Sequence, residues 1–341
     1  MCGLALGLLA GADPPDGAVP PLPTATPAPP TDPHENGLGL GPLRLCSQSP
    51  GQSLRLGLVP HTPAELAAGE WKLHAGSTWV NVWASEQHYE LDYEALTSEA
   101  VVSYGISDRW GLELGATNHA TFGGHLDGAI QKFHSVFGLD QDGRDQVPRD
   151  RTHVRIDPTS HQNGVELDEE ELDGNRTNFL RGAALCTLCH GEDGWPAVAV
   201  VGTLQAPLGS RRGYDGGILD VSLDLSVAER LGDWVIYASV ACTRFAADEV
   251  YGIHLHRTNW AGLGAIEYRL TGDWSLVVQY LLSEGVAPDL YVFSKPSHEL
   301  AVGTQVRLDR QVTLQFGVIE NVFVFDNSPD FGLHLALEVR L

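Results

Sequence analysis

From Trp71 to the C-terminus the chain repeats one pattern, runs of residues in which apolar and polar side chains alternate. A period of two belongs to a strand, whose successive side chains face opposite sides. The last run is the cleanest: Phe331, Leu333, Leu335, Leu337, Val339 and Leu341 oppose His334, Glu338 and Arg340. Trp110, Leu112 and Leu114 likewise alternate with Gly111, Glu113 and Gly115, and Leu219, Val221, Leu223 and Leu225 with Asp220, Ser222 and Asp224. Ile266, Tyr268 and Leu270 oppose Glu267 and Arg269; Trp274, Leu276 and Val278 oppose Ser275 and Gln279; Leu300, Val302, Val306 and Leu308 oppose Gln305 and Arg307.

Strands are expected at 71–84, 92–106, 110–121, 177–187, 195–206, 217–229, 234–245, 259–270, 274–284, 298–309, 312–322 and 331–341. Each is about as long as the roughly 9 to 11 residues with which a tilted strand crosses a bilayer. Ser107–Asp108–Arg109, Leu231–Gly232–Asp233, Thr271–Gly272–Asp273 and Asp309–Arg310–Gln311 read as tight turns. The remaining links, 122–175, 207–216, 246–257, 285–297 and 325–330, are longer and polar. Short and long links are expected to alternate strictly, as in an up-and-down barrel and unlike the Greek-key links of a soluble sandwich. Trp110, Trp234 and Trp274 each follow a short turn, which puts three indoles at one level, as an aromatic girdle requires.

The fold class read from this pattern is all-β: an up-and-down transmembrane β-barrel of about twelve antiparallel strands with one long, helix-containing extracellular loop. Glu113, Asp220, Asp224, Glu267, Arg269, Arg307, Glu338 and Arg340 fall on its polar face and are expected to line the lumen. No stretch approaches the roughly 18 to 20 apolar residues of a membrane-spanning helix. The net charge of −23 argues against nucleic acid, which needs a basic face. The dense block Glu166, Asp168, Glu169, Glu170, Glu171 and Asp173 reads as a solvated loop.

Residues 1–12 read as the remnant of a secretory signal, apolar and ending in small residues, with the basic region expected upstream. Residues 13–69 read as a periplasmic lead, Pro-rich over 13–36, with one short strand candidate at Leu54–Val59. The barrel domain is assigned to 70–341. In its long loop, Leu126, Ile130, Phe133 and Phe137 fall on one face of an expected helix that Gly138 ends.

That loop carries a resemblance. Gly124–Asp127, Phe133–Leu139, Gly143–Arg144–Asp145 and Pro148 resemble a family of Gram-negative envelope proteins catalogued as domain of unknown function 3187. The resemblance spans about 70 to 341. It implies an outer-membrane β-barrel and supplies no catalytic residues. Phe133, His134, Phe137, Gly138, Arg144 and Asp145 are the residues expected to order the loop. Barrels of this kind usually end in an aromatic residue, whereas this chain ends in Leu341.

Three motifs allow chemistry. Cys186-Thr-Leu-Cys189-His190 matches the pattern for covalent haem c. A Cys186–Cys189 disulfide or two free thiols are the alternatives, and the only Met is Met1. Ser160 beside His161 faintly resembles the Ser/His arrangement of outer-membrane phospholipases, with the order reversed. His119, His125, His134, His153 and His161 lie in or beside one acidic loop, without a repeated ligand spacing. The reading is therefore of a non-enzymatic barrel without a cofactor or metal, a passive narrow channel or a structural or binding barrel. A lipid hydrolase and a periplasm-facing redox protein are the rivals. The expected location is the bacterial outer membrane; the expected partners are its lipids, lipopolysaccharide and the barrel-assembly machinery.

Overall fold

The computed structural model describes residues 38–63, 66–126, 128, 150–174, 176–191, 194–209, 213–321 and 323–341. Along the chain these form β1 (Trp71–Glu86), β2 (Tyr89–Gly105), β3 (Trp110–Phe122), β4 (His153–Ile156), β5 (Val165–Asp168), a one-turn helix α1 (Glu169–Leu172), β6 (Arg176–His190) and β7 (Ala197–Pro207). There follow β8 (Tyr214–Gly216), β9 (Asp220–Leu231), β10 (Trp234–Arg244), β11 (Ala247–Val250), β12 (Ile253–His254) and β13 (Thr258–Arg269). The last are β14 (Trp274–Ser283), β15 (Ser297–Arg307), β16 (Val312–Asn321) and β17 (Phe331–Arg340).

Twelve of these strands close into an antiparallel barrel, in the order β1-β17-β16-β15-β14-β13-β10-β9-β7-β6-β3-β2. Closure is direct: Leu73 of β1 lies opposite Val102 of β2 on one side and Val339 of β17 on the other. A closed ladder leaves no row of unpaired backbone groups, so the wall needs no partner.

The alternation sorts side chains as the sequence implies. In β14, Val277, Gln279 and Leu281 are buried inside, while Leu276, Val278 and Leu282 are exposed outside. Much of the outer face is apolar and exposed, including Leu112, Leu114, Leu223, Ile266, Val302, Phe316 and Leu335. Trp71, Trp110, Trp234 and Trp274 are the first residues of their strands, all at the short-turn end. Trp71 packs on Tyr104 with ring centroids 4.6 Å apart, and Trp234 on Tyr268 at 4.4 Å.

Several expectations need correction. β1 and β2 join through the two-residue turn Gln87–His88 at the long-loop end, so short and long links do not alternate strictly. The long loop 122–175 is not plain loop. Its β4–β5 hairpin extends the sheet from β2, with Tyr89 opposite Ile156. The acidic block is not loop either, because it forms β5 and α1. Glu171 accepts a hydrogen bond from the Asp168 amide at 3.1 Å, which satisfies a donor the helix start leaves free. The expected loop helix, with Phe133, His134, Phe137, Gly138, Arg144 and Asp145, lies outside the described residues, as do the signal and the Pro-rich run. Links read as loops at 207–216 and 246–257 contribute β8, β11 and β12, a small sheet over the long-loop mouth.

The largest correction concerns the lead. Residues 38–63 are not a periplasmic linker; they thread the barrel interior, with Leu43, Leu56, Leu58 and Val59 almost fully buried. Leu54–Val59 forms no strand, because the inner wall offers side chains and no free edge to pair with.

Candidate functional site: a plugged lumen

The inner wall is built of two kinds of residue. Small apolar side chains, among them Ala197, Ala228, Val235, Val277 and Ala301, pack against Leu38, Leu43, Leu45 and Leu58 of the threading segment. Between them stand charged and amide groups. Small wall residues leave room for a second layer of chain, and the polar ones supply its backbone with partners.

The segment rises from the short-turn end. The Tyr237 hydroxyl oxygen lies 2.5 Å from the Leu38 carbonyl and 2.6 Å from Glu267, with its single hydrogen shared between these two acceptors. Glu267 accepts from the amides of Leu40 at 3.0 Å and Gly41 at 3.2 Å. Gly39 has φ +71°, and a Cβ there would overlap the Glu267 carboxylate. The Gln305 amide donates to the Gly41 carbonyl at 2.5 Å. Leu43 then lies over Gly303 and Gly317; a Cβ at Gly317 would sit 3.0 Å from its Cδ1.

At mid-height Arg44 reaches two wall carboxylates. Its Nη1 and Nη2 lie 3.1 and 3.0 Å from the oxygens of Glu113, and its Nε lies 3.3 Å from Glu99. Burial opposes the Arg44 cation, but Glu113 and Glu99 more than offset that and raise its pKa above the ordinary arginine value. Glu99 also takes Arg181 at 2.7 Å and lies 3.3 Å from His74. The cluster is balanced, which is what lets it exist away from bulk water. Burial pushes the neighbouring Cys46 thiol up to about 11.

Higher still, Glu299 accepts from the Ser47 hydroxyl at 2.5 Å and the Gln48 amide at 2.8 Å. The chain turns over at Ser49–Arg55, where the Gln52 side chain donates to the Glu284 carbonyl at 2.6 Å. Arg55 donates to the His256 carbonyl and lies 3.3 Å over the Phe245 ring. The segment then descends. His61 meets Glu113 at 2.9 Å, and the Gly69 amide donates to Gly105 at 2.7 Å as the chain enters β1. A void of about 50 Å³ remains beside this double pass, against Arg44, Thr78, Glu99, Arg181 and His334.

The predicted lumen residues divide accordingly. Glu113 and Glu267 hold the plug. Asp220 accepts from the Ala246 amide at 3.0 Å and Asp224 from Ser222 at 3.0 Å, both inside the wall. Glu338 pairs with Lys72 at 3.4 Å and Arg340 at 3.2 Å, and Arg340 with Glu70 at 3.3 Å. Arg307 is bound to Asp273 of the adjacent tight turn at 2.8 Å. Arg269 differs, with Nε and Nη1 buried and meeting no partner among the described residues. The sequence reading missed Arg44, His61, Glu99, Arg181, Tyr237 and Glu299. Glu99 and Arg181 occupy inward positions of β2 and β6, so the alternation contained their signal; Arg44 and His61 had none.

The other motifs lie elsewhere. Cys186 stands opposite Val200 and Cys189 opposite Val198, both on the outer face and separated by a bulge; both thiols are free. His190 falls on the other face, and its Nε2 lies 2.7 Å from the Asp108 carbonyl. Thiols and imidazole on opposite faces do not fit one covalent haem. Ser160 and Asp289 both approach Nδ1 of His161, at 2.9 and 3.5 Å. A base oriented by its acid through one nitrogen and activating the serine through the other is not formed. Among the described residues no three His, Cys, Asp or Glu gather as a metal site, and His153 pairs with Asp168 at 2.8 Å.

Comparisons agree with the fold. An outer-membrane channel of Pseudomonas putida F1 (COG4313) is similar with a TM-score of 0.52 at 12% identity, over 83% of this chain and 100% of that one. The NanC porin aligns with a TM-score of 0.46 at 10% identity, over 80% and 100%, and the KdgM porin with 0.41 at 8%, over 78% and 98%. No curated protein matches the sequence. A family profile described as protein of unknown function (DUF3187) matches residues 24–341.

Proposed function

The chain belongs to the DUF3187 family, and we propose that it is a bacterial outer-membrane channel for small solutes, closed at rest by its own residues 38–63. The observation that carries this reading is the pairing of an apolar outer face with a luminal plug held by buried hydrogen bonds and ion pairs as well as by apolar packing. An apolar outer wall with tryptophans at one rim suits a bilayer, where only closed barrels or helices satisfy every backbone group. Among the described residues no helix is long and apolar enough to cross a membrane. The short-turn end then faces the periplasm and the β4–β5 and β8–β11–β12 sheets face outward. A passive pore needs no catalytic constellation.

The plug bears on gating. Hydrogen bonds and ion pairs exchange readily with water, so a hydrated lumen could hold either the segment or a file of solutes. The test is planar-bilayer conductance of the purified barrel beside a form lacking residues 38–63. The full chain should give rare, small steps and the shortened chain larger and longer ones. Silence from both, with both folded, would overturn the channel.

A further inference from the structure

A second cavity, of about 150 Å³, lies at the long-loop mouth, above the plug and separate from the charged cluster. Its walls come from several parts of the chain, among them Leu91 of β2, Val154 and Val165 of the β4–β5 hairpin, Ile253 of β12, and Phe293 of the 285–297 link. Its floor is the plug's own turn, with Gly51 and Leu54. The lining is mostly apolar, whereas the void beside the plug is bordered by Arg44, Glu99 and Arg181. Polar character enters at Ser53, Tyr93, His119, Thr121, Tyr214 and Tyr251, of which Tyr93 and His119 belong to the barrel wall and carry groups free to bond a ligand. His119 bonds Thr97 through Nδ1 at 3.0 Å, and among the described residues no hydrogen bond engages its Nε2 or the Tyr93 hydroxyl.

We propose that this cavity is a binding site for a small, uncharged, apolar molecule about the size of one aromatic ring, with room for a single hydrogen-bonding group at Tyr93 or His119. Size and chemistry agree. A space of roughly 150 Å³ lined by aliphatic and aromatic side chains stays dry and admits a molecule of the size of benzene. A charged ligand would find no counter-charge there and would lose its hydration. The two unengaged polar groups give orientation, as a few polar groups do in apolar pockets generally. The floor makes the site informative for the pore, since a ligand seated on Gly51 and Leu54 touches the segment that fills the lumen. Binding stands independently of conduction, so a barrel that binds and does not conduct refutes the channel alone.

The test uses the full chain in lipid nanodiscs with fluorobenzene as the probe, read by fluorine NMR against empty nanodiscs. A saturable component, beyond simple partition into lipid, is expected for the native protein. Val165→Trp and Val154→Phe fill the space from the two strands of the β4–β5 hairpin and should each reduce that component at least fivefold. Heat-dependent gel mobility verifies that each variant is folded. 4-Fluorobenzenesulfonate should give no saturable component. The proposal is overturned if fluorobenzene only partitions, if the saturable component survives unchanged in the folded filled variants, or if the sulfonate binds as well.

Discussion

Arg44 of the luminal segment and Glu113 of β3 meet through two nitrogen–oxygen contacts of 3.1 and 3.0 Å, inside a barrel that both residues help to fill. Glu113 belongs to the alternating wall. Arg44 arrives 69 positions earlier in the chain, from a stretch with no strand pattern. The pair joins the barrel wall to the threading segment.

Removing the cation while keeping its bulk, in Arg44→Met, leaves Glu113 and Glu99 buried with less counter-charge. Breaking a buried pair from one side costs about 3–5 kcal/mol. The plug should therefore leave more often, and single-channel open time should rise over native. Equal open times would mean that Arg44 does not hold the closed state.

Cys46 offers a chemical report on the same event. With its thiol pushed up to about 11 by burial, Cys46 carries little thiolate at pH 7. In a chain whose other cysteines are replaced by Ser, maleimide labelling should be very slow at pH 7 and accelerate as pH rises. Arg44→Met should speed it at fixed pH. Fast native labelling at pH 7 would place the segment outside the lumen.

Leu43 and Gly317 are coupled by contact. A Cβ added in Gly317→Ala would lie 3.0 Å from Leu43 Cδ1, so the Leu43 side chain must give by a few tenths of an ångström, at a cost of about 1–3 kcal/mol. Adding Leu43→Ala should remove most of that penalty while imposing its own cavity cost. The double-mutant cycle is read from the temperature at which gel mobility changes, and additive effects would deny the contact.

The β4–β5 hairpin should loosen in acid. Asp157 lies 2.5 Å from Arg155 and 3.4 Å from His88, which ties the hairpin to the β1–β2 turn. The Arg155 hydrogen bond holds its carboxyl below the usual aspartate range. A depressed carboxylate stabilises the folded form above its unfolded pKa and loses that contribution as pH falls through the folded value. Amide exchange in β4 and β5, corrected for its intrinsic pH dependence, should gain protection from Asp157 at neutral pH. That gain should vanish below about pH 4 and in Asp157→Asn.

The sequence determined the wall. Strict alternation leaves a strand one way to face, and a one-residue slip would turn Val277 and Gln279 outward, so strand positions and the inward set were legible. Turn chemistry placed the tryptophan rim, because Trp110, Trp234 and Trp274 follow short turns directly. The tertiary structure alone decided what fills the barrel. Residues 38–63 carry no period, and their conformation comes from wall groups far along the chain, such as Glu267 for Leu40 and Glu299 for Gln48. The mouth cavity is equally non-local, since Leu54, Val154 and Ile253 meet only once the barrel has closed. Local pattern specifies which way a side chain faces; only closure specifies what it faces.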